Sequence, residues 1–162
     1  MVGVKTIENI RNCTQEEIIN LVNYLQSTPV ASIADLIQNG SLHVKIGIIT
    51  SIEYLGTLKT EFGKIGIKKS HNLYNRNKFL VKEIYPMISK DASLDTKMLN
   101  SIKYFMEKFN QNEETKYAIT ILNNNSDYTI KDGNKRIVAL YESKFRNQNN
   151  INLEVFVVSY NN

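Results

Sequence analysis

Asp132, Gly133, Asn134, Lys135 and Arg136 form the stretch of this chain whose residue types and spacing add up most completely to a binding chemistry. A glycine where a strand hands over to a helix lets the backbone turn sharply or left-handed, and it removes the side chain that would block a ligand. The amides that follow lack intrahelical partners and point toward any anion placed before them. Lys135 and Arg136 add positive charge, and a guanidinium can grip two phosphate oxygens with its planar fork. The group these residues suit is a phosphate. Asp132 fits less simply, because a carboxylate repels phosphate unless it caps the helix, holds a metal or binds sugar hydroxyls. The same string also reads as plain turn chemistry, with an N-cap, a turn glycine and two surface cations.

A second chemical feature is a run of cations. Lys59, Lys64, Lys68, Lys69, Arg76, Lys78 and Lys82 face only Glu61 and Glu83 over the same stretch. Such an excess attracts polyanions or phosphorylated small molecules, and it is equally what a solvated surface segment carries. Tyr74 lies among them as a candidate stacking residue. Other chemistries find little support. His43 and His71 are the two histidines, and Cys13 is the single cysteine, so neither an internal disulfide nor a zinc cluster is expected.

The elements that must position the turn belong to a chain of ordinary globular make-up. Its 162 residues are 42% hydrophobic and 22% charged, which suits one domain with a proper core. No apolar run approaches the ~18 residues needed to cross a bilayer. Met1 to Asn12 contains no continuous apolar block, so no secretion signal is expected and a cytoplasmic location follows. Heavy use of Asn, Ile and Lys points to AT-rich coding, as in a low-GC bacterium or its phage.

Thr14 and Glu17 have the spacing of a capping box, and Ile18, Leu21, Val22 and Leu25 then recur at helical spacing to about Gln26. Pro29 breaks this helix and opens a second, carrying Ile33, Leu36 and Ile37 and stopping at Asn39-Gly40. The pair has the outline of a helix-turn-helix. No cluster of Arg, Gln or Asn marks its second helix as a base reader, so a packing role is expected. A strand is predicted over Leu42–Ile49, weak helix over 51–61, loop over 62–77, and a helix from Lys78 to Ile84 that ends before Pro86. Leu94, Met98, Ile102, Phe105 and Phe109 mark an amphipathic helix whose stripe belongs to the core.

The last third changes period. A strand over Tyr117–Leu122, turn chemistry at Asn123-Asn124-Asn125-Ser126 and a strand over Tyr128–Lys131 lead into the glycine turn. A helix over Asn134–Phe145 and a strand over Leu153–Val158, apolar enough to be covered on both faces, complete the order. The expectation is an α+β fold, a small mixed sheet packed by helices. It forms one domain over 1–162, with a helical segment over 1–40.

The segment YAITILNNNSDYTIKDGNKRIVALYESKFRNQNNINLEVFVV resembles the core of the ParB/sulfiredoxin superfamily over residues 116–158. Members show a strand, a hairpin, a Gly-x-x-Arg turn often preceded by Asp, a helix and a final strand. Gly133 and Arg136 match the Gly-x-x-Arg, and Asp132 matches the acidic residue. The resemblance implies that the turn binds nucleotide phosphates, as in CTP-dependent partition proteins, ATP-using sulfinic acid reductases and free-serine kinases. Departures narrow it. Sulfiredoxins carry a Cys in the turn where this chain has Asn134, so sulfinic acid reduction is not expected. Partition proteins add a helix-turn-helix domain after this core, whereas this chain ends at Asn162. Kinase-like members use a carboxylate from the region after their first strand as a base, for which Glu53 is the counterpart. Fic and Doc proteins contain similar strings, but their chemistry requires an upstream His followed by Phe. Tyr128 and Ile130 stand here instead.

Two functions from different classes follow. The first is a nucleotide-binding domain with phosphoryl transfer or nucleotide hydrolysis. Asp132, Gly133, Asn134, Lys135 and Arg136 form its site, Glu53 is its base, and Mg²⁺ with ATP, ADP or CTP is its ligand. The alternative is a noncatalytic nucleic-acid-associated or protein-interaction module of phage or plasmid biology, using Lys64, Lys68, Lys69, Arg76 and Lys78 for phosphate contacts.

Overall fold

The computed structural model describes residues 7–60, 79–90, 96–111, 119–147 and 151–160. Within them a seven-stranded mixed sheet, ordered β1-β2-β7-β5-β6-β3-β4, packs with six helices in an α+β fold. Strand β7 (Leu153–Tyr160) lies inside the sheet, antiparallel to β2 (Leu42–Ile49) and parallel to β5 (Thr120–Asn124). Its apolar run is used as expected: Val155 and Val157 join the larger core cluster, and Val158 joins the smaller.

The chain enters the sheet as an edge strand, β1 (Glu8–Asn12), antiparallel to β2. A purely helical segment over 1–40 is therefore not what forms. Glu8–Asn12 has too few apolar side chains to announce a strand, and its conformation comes from pairing with β2. Helix α1 (Gln15–Gln26) starts with the predicted capping box. The Glu17 amide donates to Thr14 Oγ1 at 3.2 Å, and the Thr14 amide donates to Glu17 Oε1 at 2.8 Å. Arg11 grips both Glu17 oxygens at 2.9 Å, fastening the edge strand to the helix start. The Arg11 fork, together with the Thr14 amide, draws the Glu17 carboxyl down to about 2. A carboxyl depressed on folding stabilises above its unfolded pKa, and that contribution fades as pH falls toward 2. Thr14→Ala removes half of the box and is expected to lower stability by about 1 kcal/mol in urea denaturation at neutral pH.

Helix α2 (Ala31–Gln38) ends at Asn39-Gly40, where Gly40 takes a φ of +83°. Leu21, Val22 and Leu25 of α1 and Ile33, Ala34 and Ile37 of α2 close over Leu42, Val44 and Val158. The helix pair serves packing on one face of the sheet.

The other face carries α3 (Ile52–Thr57), α4 (Val81–Lys90), α5 (Thr96–Asn110) and α6 (Asn134–Asn147). Two short strands complete the far edge, β3 (Lys59–Thr60) and β4 (Phe79–Leu80). The helix expected to stop before Pro86 instead begins at Val81 and runs through that proline to Lys90. Proline forfeits one backbone bond there, but buried Val81, Ile84 and Ile88 form one apolar face that spans it. The stripe of α5 is core as predicted, with Met98, Leu99, Ile102, Met106 and Phe109 buried and Phe105 partly so. The loop expected over 62–77, Leu94, and the start of the strand expected from Tyr117 lie outside the described residues. No helix among the described residues is long and apolar enough to cross a membrane.

Candidate functional site

The glycine turn sits at the end of a tight hairpin. Between β5 and β6 (Asp127–Asp132), Asn125 and Ser126 have φ of 52° and 69°, the left-handed pair that a two-residue hairpin requires. The Ser126 amide donates to Asn123 Oδ1 at 2.8 Å, which fixes the corner. Ile121 pairs with Ile130, but the next pair is Thr120 with Asp132, so Lys131 is an extra residue and β6 is bulged. The bulge has a consequence for the site. Ile130 belongs to the larger cluster, and strict alternation would send Asp132 to the same face. The added residue turns Asp132 over, toward the face that α1 covers.

Gly133 follows with a φ of +90°, and its carbonyl accepts the first bond of α6 from the Ile137 amide at 2.9 Å. A Cβ at this position would lie 3.0 Å from Ile119 Cγ1 and 3.4 Å from an Arg136 guanidinium nitrogen. Arg136 is therefore folded back over the turn, and only 7% of it is exposed. Its Nη2 donates to the Tyr24 hydroxyl at 3.1 Å and to Asp132 Oδ2 at 3.4 Å. The Tyr24 phenol and the Asp132 carboxyl also feel each other electrostatically, so three side chains meet in a triangle at the turn. Burial pushes the Asp132 carboxyl above the ordinary carboxylate range, against the opposing pull of Tyr24, Arg136 and the Gly133 amide. Burial likewise raises the Tyr24 phenol.

Several polar groups around this triangle lack protein partners among the described residues. Asn134 Oδ1 is buried without a hydrogen bond, and so is Oγ1 of Thr120, the residue paired with Asp132. The amides of Asn134 and Lys135 open α6 with no acceptor, and the Lys135 ammonium has no carboxylate partner. The start of α6 thus gathers unsatisfied donors and a cation beside a guanidinium that is already engaged.

The other predicted residues are placed separately. Glu53 lies exposed in the first turn of α3, and its charge is felt by Tyr141 of α6. Tyr141 is roughly 10 Å along the helix axis from Asn134, at ~1.5 Å per residue. Lys59 is paired with Asp127 at 2.7 Å across the β3–β6 contact. Lys64, Lys68, Lys69, Tyr74, Arg76 and Lys78 lie outside the described residues. Among the described residues, no group of three or more His, Cys, Asp or Glu side chains could hold a metal ion. An open depression on α5, lined by Thr96, Lys97, Asn100, Ser101, Tyr104 and Phe105, shares no residue with the turn.

Sequence reasoning missed Tyr24. It is an ordinary residue of an amphipathic helix, and only the bulge at Lys131 brings Asp132 round to meet it. No family model, curated protein or solved structure matches this chain.

Proposed function

We propose that the turn between β6 and α6 binds the phosphate of a nucleotide, in the manner of the ParB/sulfiredoxin-like proteins that residues 116–158 resemble. Phosphoryl transfer or nucleotide hydrolysis is the chemistry such a site would serve. The observation that carries this reading is the meeting, at one helix start after a positive-φ glycine, of the Arg136 guanidinium with the Asn134 and Lys135 amides, which have no partner among the described residues. Backbone donors at a helix start favour an anion, and a guanidinium adds a directional grip. Asn134 Oδ1, buried without a donor, suits a hydroxyl of the same ligand. Mg²⁺ would come with ATP, ADP or CTP and would supply positive charge against their phosphates. Glu53 is the carboxylate assigned as base for an acceptor hydroxyl, and the acceptor would have to span from the turn to α3.

Thermal melting with ATP, ADP and CTP, each with and without Mg²⁺, tests the reading. A nucleotide at a hundred times its dissociation constant adds about 2.7 kcal/mol of stability. Arg136→Lys keeps the charge and loses the fork, so it should weaken binding by about tenfold or more. Melting that no nucleotide shifts would remove the proposal. Polyanion binding that ignores Arg136 and falls steeply with salt would favour the nucleic-acid module instead.

A further inference from the structure

We infer that the α1–α2 pair is an intramolecular cover, in which the Tyr24 hydroxyl holds Arg136, itself paired with Asp132, in a closed arrangement that an incoming phosphate must displace. The inference rests on the phosphate reading of the β6–α6 turn and adds its regulation. Three observations carry it. First, Arg136 is 7% exposed, and one of its donors is spent on Tyr24 at 3.1 Å, so a ligand oxygen does not reach that nitrogen while the hydroxyl stays. Second, the contact joins elements far apart in sequence and otherwise on opposite sides of the sheet: Tyr24 packs with the smaller cluster, whereas α6 contributes Ile137, Val138 and Ala139 to the larger. Third, the bulge at Lys131 exposes Asp132 to Tyr24 when regular pairing would have pointed it away.

The physics of exchange favours a latch over a permanent tie. A neutral phenol is a weaker acceptor for a guanidinium than a phosphate oxygen, because only the phosphate adds the attraction of a full opposite charge. Displacement therefore gains at Arg136 and costs the Tyr24 contact. Tyr24 is only partly buried, and α1 is held by Leu21, Val22 and Leu25 rather than by the phenol itself. Swinging the ring aside leaves that packing in place. Binding and opening are then linked in both directions: ligand loosens α1 near Tyr24, and loosening Tyr24 tightens ligand.

The experiment compares the wild-type chain with Tyr24→Phe, which keeps the ring in its packing and removes the hydroxyl. Affinities for ATP, CTP and inorganic phosphate are measured by calorimetry, and melting without ligand checks that the variant is folded. Tyr24→Phe should bind about tenfold more tightly, the scale of one modest hydrogen bond. Hydrogen exchange on the wild-type chain provides a measurement that needs no variant: amides of Tyr24, Leu25 and Gln26 should exchange faster when ATP is added. Equal affinity in both proteins with unchanged exchange overturns the latch and leaves the phosphate reading standing. Weaker binding in Tyr24→Phe makes Tyr24 a ligand contact and also overturns the latch. Absence of binding in both proteins removes the phosphate reading and the latch together.

Discussion

Arg136→Ala is expected to destabilise the protein by about 3 kcal/mol at neutral pH, because breaking a buried ion pair strands the remaining charge. The side chains of Arg136 and Asp132 are 8% and 15% exposed, so neither group recovers full hydration when the other is removed. Asp132 is the group that would be stranded. Burial already raises its pKa, and the guanidinium is one of the influences holding it back. An acid whose pKa is raised by folding binds more protons folded than unfolded, so the charged form costs stability as pH rises through its titration. Without Arg136 that pKa climbs further and the cost grows at neutral pH. The deficit of Arg136→Ala against wild type should therefore narrow as pH falls through the Asp132 titration, where the carboxyl is protonated in both proteins and no longer needs a cation. Urea denaturation at neutral pH and again near the ordinary carboxylate range checks this, and a deficit equal at both would show that the charge pair is not its source. Adding Asp132→Asn to the alanine variant should restore part of the loss at neutral pH. For the same reason the lysine variant, not alanine, is the proper test of binding.

Much of this architecture was legible from local pattern. Thr14 with Glu17, the alternation over Leu42–Ile49, and the handover from β6 through Gly133 to α6 all rest on interactions between near neighbours, which residue type and spacing record directly. What escaped depends on partners distant in sequence. Glu8–Asn12 becomes a strand because β2 offers an edge, and β3 and β4 are too short to show a period. Val81–Lys90 passes through Pro86 because its buried face outweighs one missing bond. The composition of the turn could be read, but its charge balance could not. Arg136 looked like a free cation aimed at a ligand, whereas Asp132 and Tyr24 already engage it. On the phosphate reading, that difference makes the site one that a ligand must open. It follows from a single extra residue in β6, since a register shift of one reverses the face to which a side chain points.

Gly133→Val tests the turn itself, with an expected loss of about 3 kcal/mol from left-handed strain and overpacking combined. The two contributions come from different places. At a φ of +90° the backbone is where a β-branched residue is a genuine outlier, so strain arises whatever the surroundings. The added Cβ alone would sit 3.0 Å from Ile119 Cγ1, and Ile119 is 3% exposed in the larger cluster with little room to retreat. Gly133→Ala meets the same Cβ contact with milder strain and should lose about 2 kcal/mol. Denaturant midpoints for the series Gly, Ala and Val should therefore fall in that order. The series also bears on binding, because the same Cβ would lie 3.4 Å from the Arg136 guanidinium and take up space beside it that a phosphate would need. If the ligand approaches the backbone there, Gly133→Ala should weaken ATP or CTP binding by about tenfold or more while the protein remains folded, since the added methyl holds the phosphate away from the donors. A stability loss with unchanged affinity would show that Gly133 serves only the turn, and that the ligand approaches α6 from elsewhere.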